Sequence, residues 1–414
     1  MAQLYDIKEV EERFVLVAVA ASDRDDTAQS LDELEELAAT AGAITVGKII
    51  QNRENVHPGT YIGKGKIDEV REMAIMTNAT GVVCDDELSP AQLKNLEDAL
   101  SMKVLDRTVI ILDIFARRAS TREGKIQVEL AQLRYRSSRL IGLRNSLSRL
   151  GGGIGTRGPG EKKLEVDRRL IKERITLLRH ELDEVKQNRE TARSLRSKNR
   201  IPVVAIVGYT NAGKSTLLNH LTNAGVLEED QLFATLDPTT RNLEMESGQQ
   251  ILITDTVGFI RKLPHHLIEA FRSTLEEAKY SDIILHVVDS ANPDVDHQMH
   301  IVYDTLNKLG IQDKEIITAF NKQDRPEADN VIKDFKADYT VKMSAKTGMG
   351  VDKLLETIEK VLNERKILLE REFSYQEAGK IQTIRKYGQL LEEEYRQDGI
   401  YVKAYVPKDI YQSL

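Results

Sequence analysis

The sequence predicts an α/β protein in four parts: a small parallel α/β domain, a long antiparallel helical hairpin, a phosphate-loop nucleotide domain and a small α+β tail. Three observations predict it. Residues 1–121 and 201–364 alternate between short apolar runs and amphipathic helical stretches, the pattern of parallel sheets. Between them, apolar residues recur every seven positions in two adjacent segments. At Gly208–Ser215 the chain reads G-Y-T-N-A-G-K-S, after the apolar run Val203–Val207 and before the helically spaced T-L-L-N-H-L. The expected boundaries are 1–121, 122–199, 200–364 and 365–414.

Composition bounds the class. A chain of 414 residues suits about three domains of ~150 residues. Apolar residues make up 41% and charged residues 30%, the balance of a water-soluble globular chain. The charged start M-A-Q-L-Y-D-I-K-E-V-E-E-R lacks a signal-peptide core, and no apolar run reaches the ~18 residues that span a bilayer. The single cysteine, Cys84, lies in the apolar run G-V-V-C-D-D, so no internal disulfide is expected and a cytoplasmic setting fits. Net charge is −7, yet residues 117–160 carry ten Arg or Lys against two acids, a net of +8. A basic segment on an otherwise acidic chain is a local electrostatic footprint for a polyanion.

In the first part, Phe14–Ala20 reads as a strand and 27–41 as an amphipathic helix through Leu31, Leu34, Leu37 and Ala38. Ile44–Ile50 is a second strand. Pro58–Lys66, P-G-T-Y-I-G-K-G-K, is a loop leading into a helix that ends near Met76. It is read either as a plain βα turn or as an anion grip. Gly81–Cys84 is a third strand. Ser89-Pro90 caps and opens a helix. Val104-Leu105 is a short strand, and Thr108–Arg118 a helix.

The hairpin rests on Ile126, Leu133, Leu140 and Leu147, with Leu130, against Leu164, Ile171, Leu178 and Val185, with Ile175 and Leu182. A helix of roughly 29 residues spans ~43 Å, which takes the tip far from its base. At the tip, Leu150–Glu161 reads L-G-G-G-I-G-T-R-G-P-G-E. Arg144, Arg149 and Arg157, with Gly151, Gly152 and Gly153, form a finger suited to RNA phosphates. Aromatic content is 5% with no Trp, so base stacking is a minor element of that reading. Lys186–Arg200 reads as a hinge or the frayed base of the second helix.

In the nucleotide domain the backbone of Gly208, Tyr209, Thr210, Asn211, Ala212, Gly213, Lys214, Ser215 and Thr216 wraps phosphate oxygens. Lys214 neutralises the β- and γ-phosphates, and the Ser215 hydroxyl is a Mg²⁺ ligand. Strand Ile251–Ile253 leads into D-T-V-G-F. There Asp255 holds Mg²⁺ directly or through water, with Thr256 and Val257 beside it and the Gly258 N–H toward the γ-phosphate. Strands Ile283–Val288 and Ile316–Phe320 follow. The latter ends in N-K-Q-D, Asn321–Asp324, and a strand near Tyr339–Met343 ends in Ser344-Ala345-Lys346. Asp324 can accept from the N1–H and N2 amine of guanine. Adenine offers neither donor, so GTP and GDP are selected over adenine nucleotides. Lys322 covers the ring, and the Ala345 backbone meets the guanine oxygen. Lys214 and Gly258 are the catalytic candidates drawn from these motifs. In the tail, a helix at Gln376–Lys386 and the alternating segment Ile400–Val406 suggest an α+β unit.

On T-Y-I-G-K-G-K, G-T-R-G-P-G-E-K-K-L-E-V-D-R-R and F-A-T-L-D-P-T-T-R, across nearly the whole chain, the sequence resembles the HflX GTPases. The resemblance implies binding to the large ribosomal subunit, with the hairpin tip near the peptidyl transferase centre. It also implies GTP-dependent splitting of stalled ribosomes, notably in stress. From F-A-T-L-D-P it implies nucleotide contacts at Phe233, Ala234 and Thr235, with Thr235 as the second Mg²⁺ ligand and a catalytic candidate. Thr239 and Thr240 stay open for that ligand. Asn211 stands where similar cation-activated GTPases bind K⁺, and a turn-shaping asparagine is the equal alternative. Phe259 replaces the water-orienting glutamine of Ras-like enzymes, which implies slow intrinsic hydrolysis raised by a partner or an ion. Two rivals remain at this stage: a GTPase of ribosome assembly or tRNA modification, and a scaffold whose heptads dimerise. The Gly151–Gly153 break favours a monomer folded back on itself.

Overall fold

The computed structural model describes residues 11–21, 26–150, 159–199, 201–222, 232–233, 236–264, 267, 272–311, 313–329 and 332–412, with backbone only at 141–150, 159–164, 192–199, 272–274, 276, 329, 386–387 and 408–409. They fall into two compact units. The first joins Met1–Val185 with Asp230–Leu236 and Arg261–Phe271; the second joins Lys186–Glu229, Asp237–Ile260 and Arg272–Leu414. No described helix is long and apolar enough to cross a membrane.

The first unit is built on β1 (Arg13–Ala20), α1 (Thr27–Thr40), β2 (Ile44–Asn52), α2 (Lys64–Thr77), β3 (Gly81–Cys84), α3 (Pro90–Leu100), β4 (Lys103–Asp106) and α4 (Arg107–Arg118). The four strands form a sheet in the order β2-β1-β3-β4, with every pairing parallel. Strand β1 is apolar without alternation because both of its faces are covered. Val15, Val17 and Val19 pack with Ile67 and Val70 of α2 and Leu96 of α3, and Phe14, Leu16 and Ala18 on the opposite face are equally buried. The Ser89 signal is realised in full. Its side chain accepts from the Gln92 N–H, Gln92 returns the bond to the Ser89 backbone, and Pro90 occupies the first turn.

Two later segments of the chain belong to this unit. Phe233 meets Phe115 edge-on, with ring centroids 4.7 Å apart. Arg261 pairs with Asp26 at 2.7 Å and Glu33 at 3.3 Å, and Lys262 with Asp85 at 2.5 Å and Asp86 at 2.9 Å. Asp85 and Asp86 follow β3 directly, at the carboxyl end of the sheet. Tyr61, from the P-G-T-Y-I-G-K-G-K loop, donates to Asp86 at 2.7 Å. That loop therefore braces an acidic side chain, a role additional to the turn or anion grip expected of it.

The hairpin pairs α5 (Arg122–Leu150, 29 residues) with α6 (Pro159–Asn199, 41 residues). Ile126, Leu130 and Leu133 pack on Ile175, Leu178 and Leu182, six of the expected heptad positions. Arg122 pairs with Glu181 and Glu129 with Arg174, so one helix descends as the other rises. Helix α6 continues through 186–199, so that stretch is helical. One expectation shifts at the tip. Pro159 opens α6, where its missing N–H costs nothing. The tip residues Gly151, Gly152, Gly153 and Arg157, and the side chains of Arg144 and Arg149, lie outside the described residues.

The second unit holds a six-stranded sheet, formed by β5 (Val203–Gly208), β6 (Thr239–Glu244), β7 (Gln250–Asp255), β8 (Ile283–Asp289), β9 (Glu315–Asn321) and β10 (Tyr339–Lys342). Its order is β10-β9-β8-β5-β7-β6, and within this sheet β6 alone of the described strands runs antiparallel. Helix α7 (Lys214–Thr222) follows β5. Helix Val351–Glu364 buries Leu354, Ile358, Val361 and Leu362, one face at helical spacing, in the sheet's core. The same unit ends in a small antiparallel sheet of β11 (Lys366–Phe373), β12 (Gln389–Tyr395) and β13 (Ile400–Pro407), ordered β11-β13-β12. Helix Ala378–Tyr387 covers one face, where Val402, Ala404 and Val406 pack on Ile381 and Ile384.

Candidate nucleotide site

Parallel strands present their functional loops at their carboxyl ends, and β5, β7, β8 and β9 all deliver site residues there. The phosphate loop follows β5. Gly213 has φ +94, and a Cβ on it would stand 2.2 Å from Asn321 Nδ2, so both conformation and space require glycine. The Lys214 ammonium is buried and donates to the Tyr209 carbonyl at 2.7 Å. Burial lowers its pKa to about 8, with Asp255 pulling it up and Lys322 pushing it down. Nucleotide phosphates would draw a proton back to this amine. GTP affinity is therefore expected to be flat below pH 8 and to fall, up to tenfold per pH unit, above it. Equilibrium titrations between pH 7 and 9.5 measure this, and a constant Kd across that range would contradict it.

Ser215, in the first turn of α7, donates its hydroxyl to Asp255 Oδ2 at 2.8 Å. A hydroxyl and a carboxylate thus sit side by side, both hard oxygen donors of the kind Mg²⁺ takes together with phosphate and water oxygens. The pair fits that ion. The loop after Asp255 closes on the phosphate loop: Thr210 N–H donates to Phe259 O at 2.8 Å and Phe259 N–H to Gly208 O at 3.1 Å. A Cβ on Gly258 would lie 2.8 Å from Thr210 Cγ2 and 3.0 Å from Lys214 Nζ, so no larger residue fits. Thr256 is buried with its hydroxyl on the Ile206 carbonyl at 2.7 Å, which makes its side chain a strut of the sheet. Val257 and Phe259 are buried as well. The Phe259 ring has no hydrogen-bonding atom with which to orient water.

The base-reading residues gather around Asn321. Its Nδ2 donates to Ala212 O at 2.8 Å, and its Oδ1 accepts from the Ala345 N–H at 2.8 Å. One amide thereby ties the phosphate loop to the Ser344-Ala345-Lys346 loop. Asp324 accepts from Ser344 Oγ at 2.7 Å. That bond holds the Asp324 carboxyl below its ordinary range, against the upward push of burial. Lys322, at φ +63, pairs with Asp289 at 2.7 Å. Asp289 ends β8 and was not singled out from sequence; a lone acid at a strand end carries no motif there.

Gly208 through Ser215, Asp255 through Gly258, and Asn321, Lys322, Asp324, Ser344 and Ala345 are thus brought together at the carboxyl end of the parallel strands, with Lys346 exposed beside them. Asn211 adopts φ +59, a left-handed conformation that asparagine tolerates. Phe233 belongs to the first unit. Ala234 and Thr235 lie outside the described residues. Of the other two threonines, Thr239 stands across the ladder from Asp255, and Thr240 shares a hydrogen bond with Thr254 at 2.9 Å.

A phosphate loop, a carboxylate beside its serine and an N-K-Q-D, all at the carboxyl ends of parallel strands of one sheet, define a P-loop GTPase. Residues 28–116 match the family model for the GTP-binding GTPase N-terminal region, 118–196 that for the GTP-binding GTPase middle region, and 203–322 that for the 50S ribosome-binding GTPase. The GTPase HflX of Lacrimispora saccharolytica is 67% identical over 414 residues, spanning 100% of this chain and 98% of its own. That of Escherichia coli is 41% identical over 369 residues, spanning 87% and 85%. A solved GTP-binding protein from the archaeon Sulfolobus solfataricus, in complex with GDP, aligns over 85% of this chain and 99% of its own at 22% identity and TM-score 0.45. The chain belongs to the HflX GTPase family.

Proposed function

We propose that this protein is a Mg²⁺-dependent GTPase switch that binds the large ribosomal subunit and splits or rescues stalled or idle ribosomes, with its turnover stimulated by the ribosome. The match of 203–322 to the 50S ribosome-binding GTPase model carries this reading. The net +8 of residues 117–160 supports a route to RNA through the hairpin, with Arg144, Arg149, Arg157 and Gly151–Gly153 at its end near the peptidyl transferase centre.

In the nucleotide site, Asp324 and the Ala345 N–H select guanine and Lys322 covers the ring. Lys214 neutralises the β- and γ-phosphates, and the Gly258 N–H bonds the γ-phosphate. Ser215 and Asp255 would hold Mg²⁺, with Thr235 as its further ligand; the ion offsets charge on the phosphate oxygens. Water attacks the γ-phosphorus and GDP leaves. Release of the γ-phosphate frees Gly258 and Thr235, and with them the ribosome-bound arrangement.

No side chain at Phe259 orients that water, so hydrolysis by the free protein is slow. Asn211 is the candidate K⁺ ligand. Replacing K⁺ by Na⁺ at constant ionic strength is expected to lower kcat if a cation sits there; an unchanged kcat leaves Asn211 as a turn residue only.

The deciding test is sedimentation with 70S ribosomes and separated subunits in GTP, a non-hydrolysable analogue and GDP. Analogue-dependent binding to the large subunit with loss of 70S is expected. Preference for precursor particles or tRNA would instead favour a role in assembly or tRNA modification.

A further inference from the structure

Thr210 stands in the phosphate loop with a hydroxyl that the fold leaves unused. The residue is 6% exposed, and its Oγ1 is buried with no hydrogen-bond partner among the described residues. The other buried threonines described in the second unit are all satisfied. Thr254 bonds the Thr240 hydroxyl, Thr256 the Ile206 carbonyl, Thr305 the Ile301 carbonyl and Thr318 the Asp334 carboxylate. A buried hydroxyl left unpaired costs stability, so valine, of the same shape, would serve the loop's packing better. A polar atom kept in such a place calls for a partner from outside the chain.

The neighbours of Thr210 say which partner. Its N–H donates to Phe259 O at 2.8 Å, and Tyr209 forms a parallel bridge with Phe259. This side of the phosphate loop is therefore tied to the Asp255–Phe259 segment. A Cβ built on Gly258 would stand 2.8 Å from Thr210 Cγ2 and 3.0 Å from Lys214 Nζ, so the threonine side chain and the ammonium converge beside Gly258. Lys214 is also 6% exposed, so the lysine of this loop works from the same depth. Gly258 is the residue that faces the γ-phosphate. A group beside it meets the phosphate that GTP has and GDP lacks, and a hydroxyl donating to a charged oxygen makes one of the stronger hydrogen bonds.

We propose that the Thr210 hydroxyl donates a hydrogen bond to a γ-phosphate oxygen and so helps the site to distinguish GTP from GDP. This rests on the nucleotide site proposed above, with the γ-phosphate against the Gly258 N–H, and is independent of the ribosomal reading. It adds a side-chain contact where the loop otherwise acts through its backbone. Thr210 then joins the γ-phosphate, through its hydroxyl, to the Asp255–Phe259 segment, through its N–H.

The test compares full-length wild type with Thr210→Val, which keeps the shape and removes the hydroxyl, and Thr210→Ser, which keeps the hydroxyl and removes the methyl. Melting curves are taken without nucleotide, and Kd is measured for a non-hydrolysable GTP analogue and for GDP. Thr210→Val is expected to melt no lower than wild type and to bind GDP as wild type does. It should bind the analogue roughly 10- to 100-fold more weakly, the scale of one hydrogen bond to a charged group. Thr210→Ser is expected to keep the wild-type ratio of analogue to GDP affinity. Equal weakening toward both nucleotides in the valine variant would overturn the proposal, as would undiminished binding of the analogue. Should the valine variant melt early, the serine variant decides. A lost preference for the analogue with the hydroxyl still present would trace to the methyl and overturn the proposal. A wild-type protein that binds neither nucleotide would remove the nucleotide site itself, and this contact with it.

Discussion

Asp324→Asn is expected to weaken GTP binding roughly 10³-fold, the scale of losing two hydrogen bonds to a charged acceptor, and to shift preference toward xanthosine triphosphate. In the wild-type chain the carboxylate accepts the Ser344 hydroxyl at 2.7 Å, which keeps it ionised and fixes its direction. Guanine presents two donors to it, N1–H and the N2 amine. An asparagine turns one acceptor into an N–H₂ donor facing those donors, so the variant loses a bond and gains a clash. Xanthine carries a carbonyl oxygen in place of the N2 amine and restores complementarity. Competition titrations with GTP, GDP and the xanthine nucleotide read both effects. Because Asn321 and not Asp324 braces the phosphate loop, the xanthine nucleotide should still be hydrolysed. GTP affinity within a fewfold of wild type would mean that Asp324 does not read the base.

Such substitutions can be chosen from sequence because the nucleotide motifs are local. Each is a strand followed by a loop, and strand periodicity plus glycine placement fixes both. The parallel sheet of the first unit was legible for the same reason: β1 and β3 are short apolar runs, and Ser89-Pro90 announces a helix start. The hairpin was legible through its heptads. What escaped the sequence is whatever depends on contacts between distant segments. Strand β12, Q-L-L-E-E-E-Y, carries three successive glutamates because it is an edge strand with a solvent face, and its pattern competes poorly with loop composition. Strand β11 and the antiparallel β6 were hidden similarly, by charged or polar residues on exposed faces. Asn321 as the link between two loops is invisible in N-K-Q-D alone, since its partners Ala212 and Ala345 contribute only backbone atoms.

The ion-pair cluster of the first unit is the largest feature that no motif announced, and its removal should be the largest stability change. Arg107 is 1% exposed and Asp85 fully buried. The guanidinium donates to Asp85 at 2.8 Å and to the Ser30 carbonyl at 3.3 Å, and it also pairs with Glu33. Asp85 further accepts from Ser30 Oγ at 2.7 Å and from Lys262. Burial alone would raise the Asp85 pKa, but Arg107 and Lys262 outweigh it and hold the carboxyl below its ordinary value. Arg107→Ala leaves two carboxylates short of a cation in a dry site. The expected cost is about 3–5 kcal/mol, a fall of roughly 10 °C in the melting temperature of a unit this size. The pH dependence follows from the direction of the Asp85 shift. A carboxyl whose folded pKa is depressed contributes stability in full above its unfolded pKa of about 3.9 and loses it as pH falls through the folded value. The gap between wild type and Arg107→Ala should therefore be widest near neutral pH and narrow below pH 4. Arg107→Lys, which keeps the charge but not the two-pronged geometry, should fall between them. Melting curves for the three proteins at pH 7 and pH 3.5 make the comparison. An Arg107→Ala protein that melts with wild type at pH 7 would show that the cluster is no better than neutral to the fold.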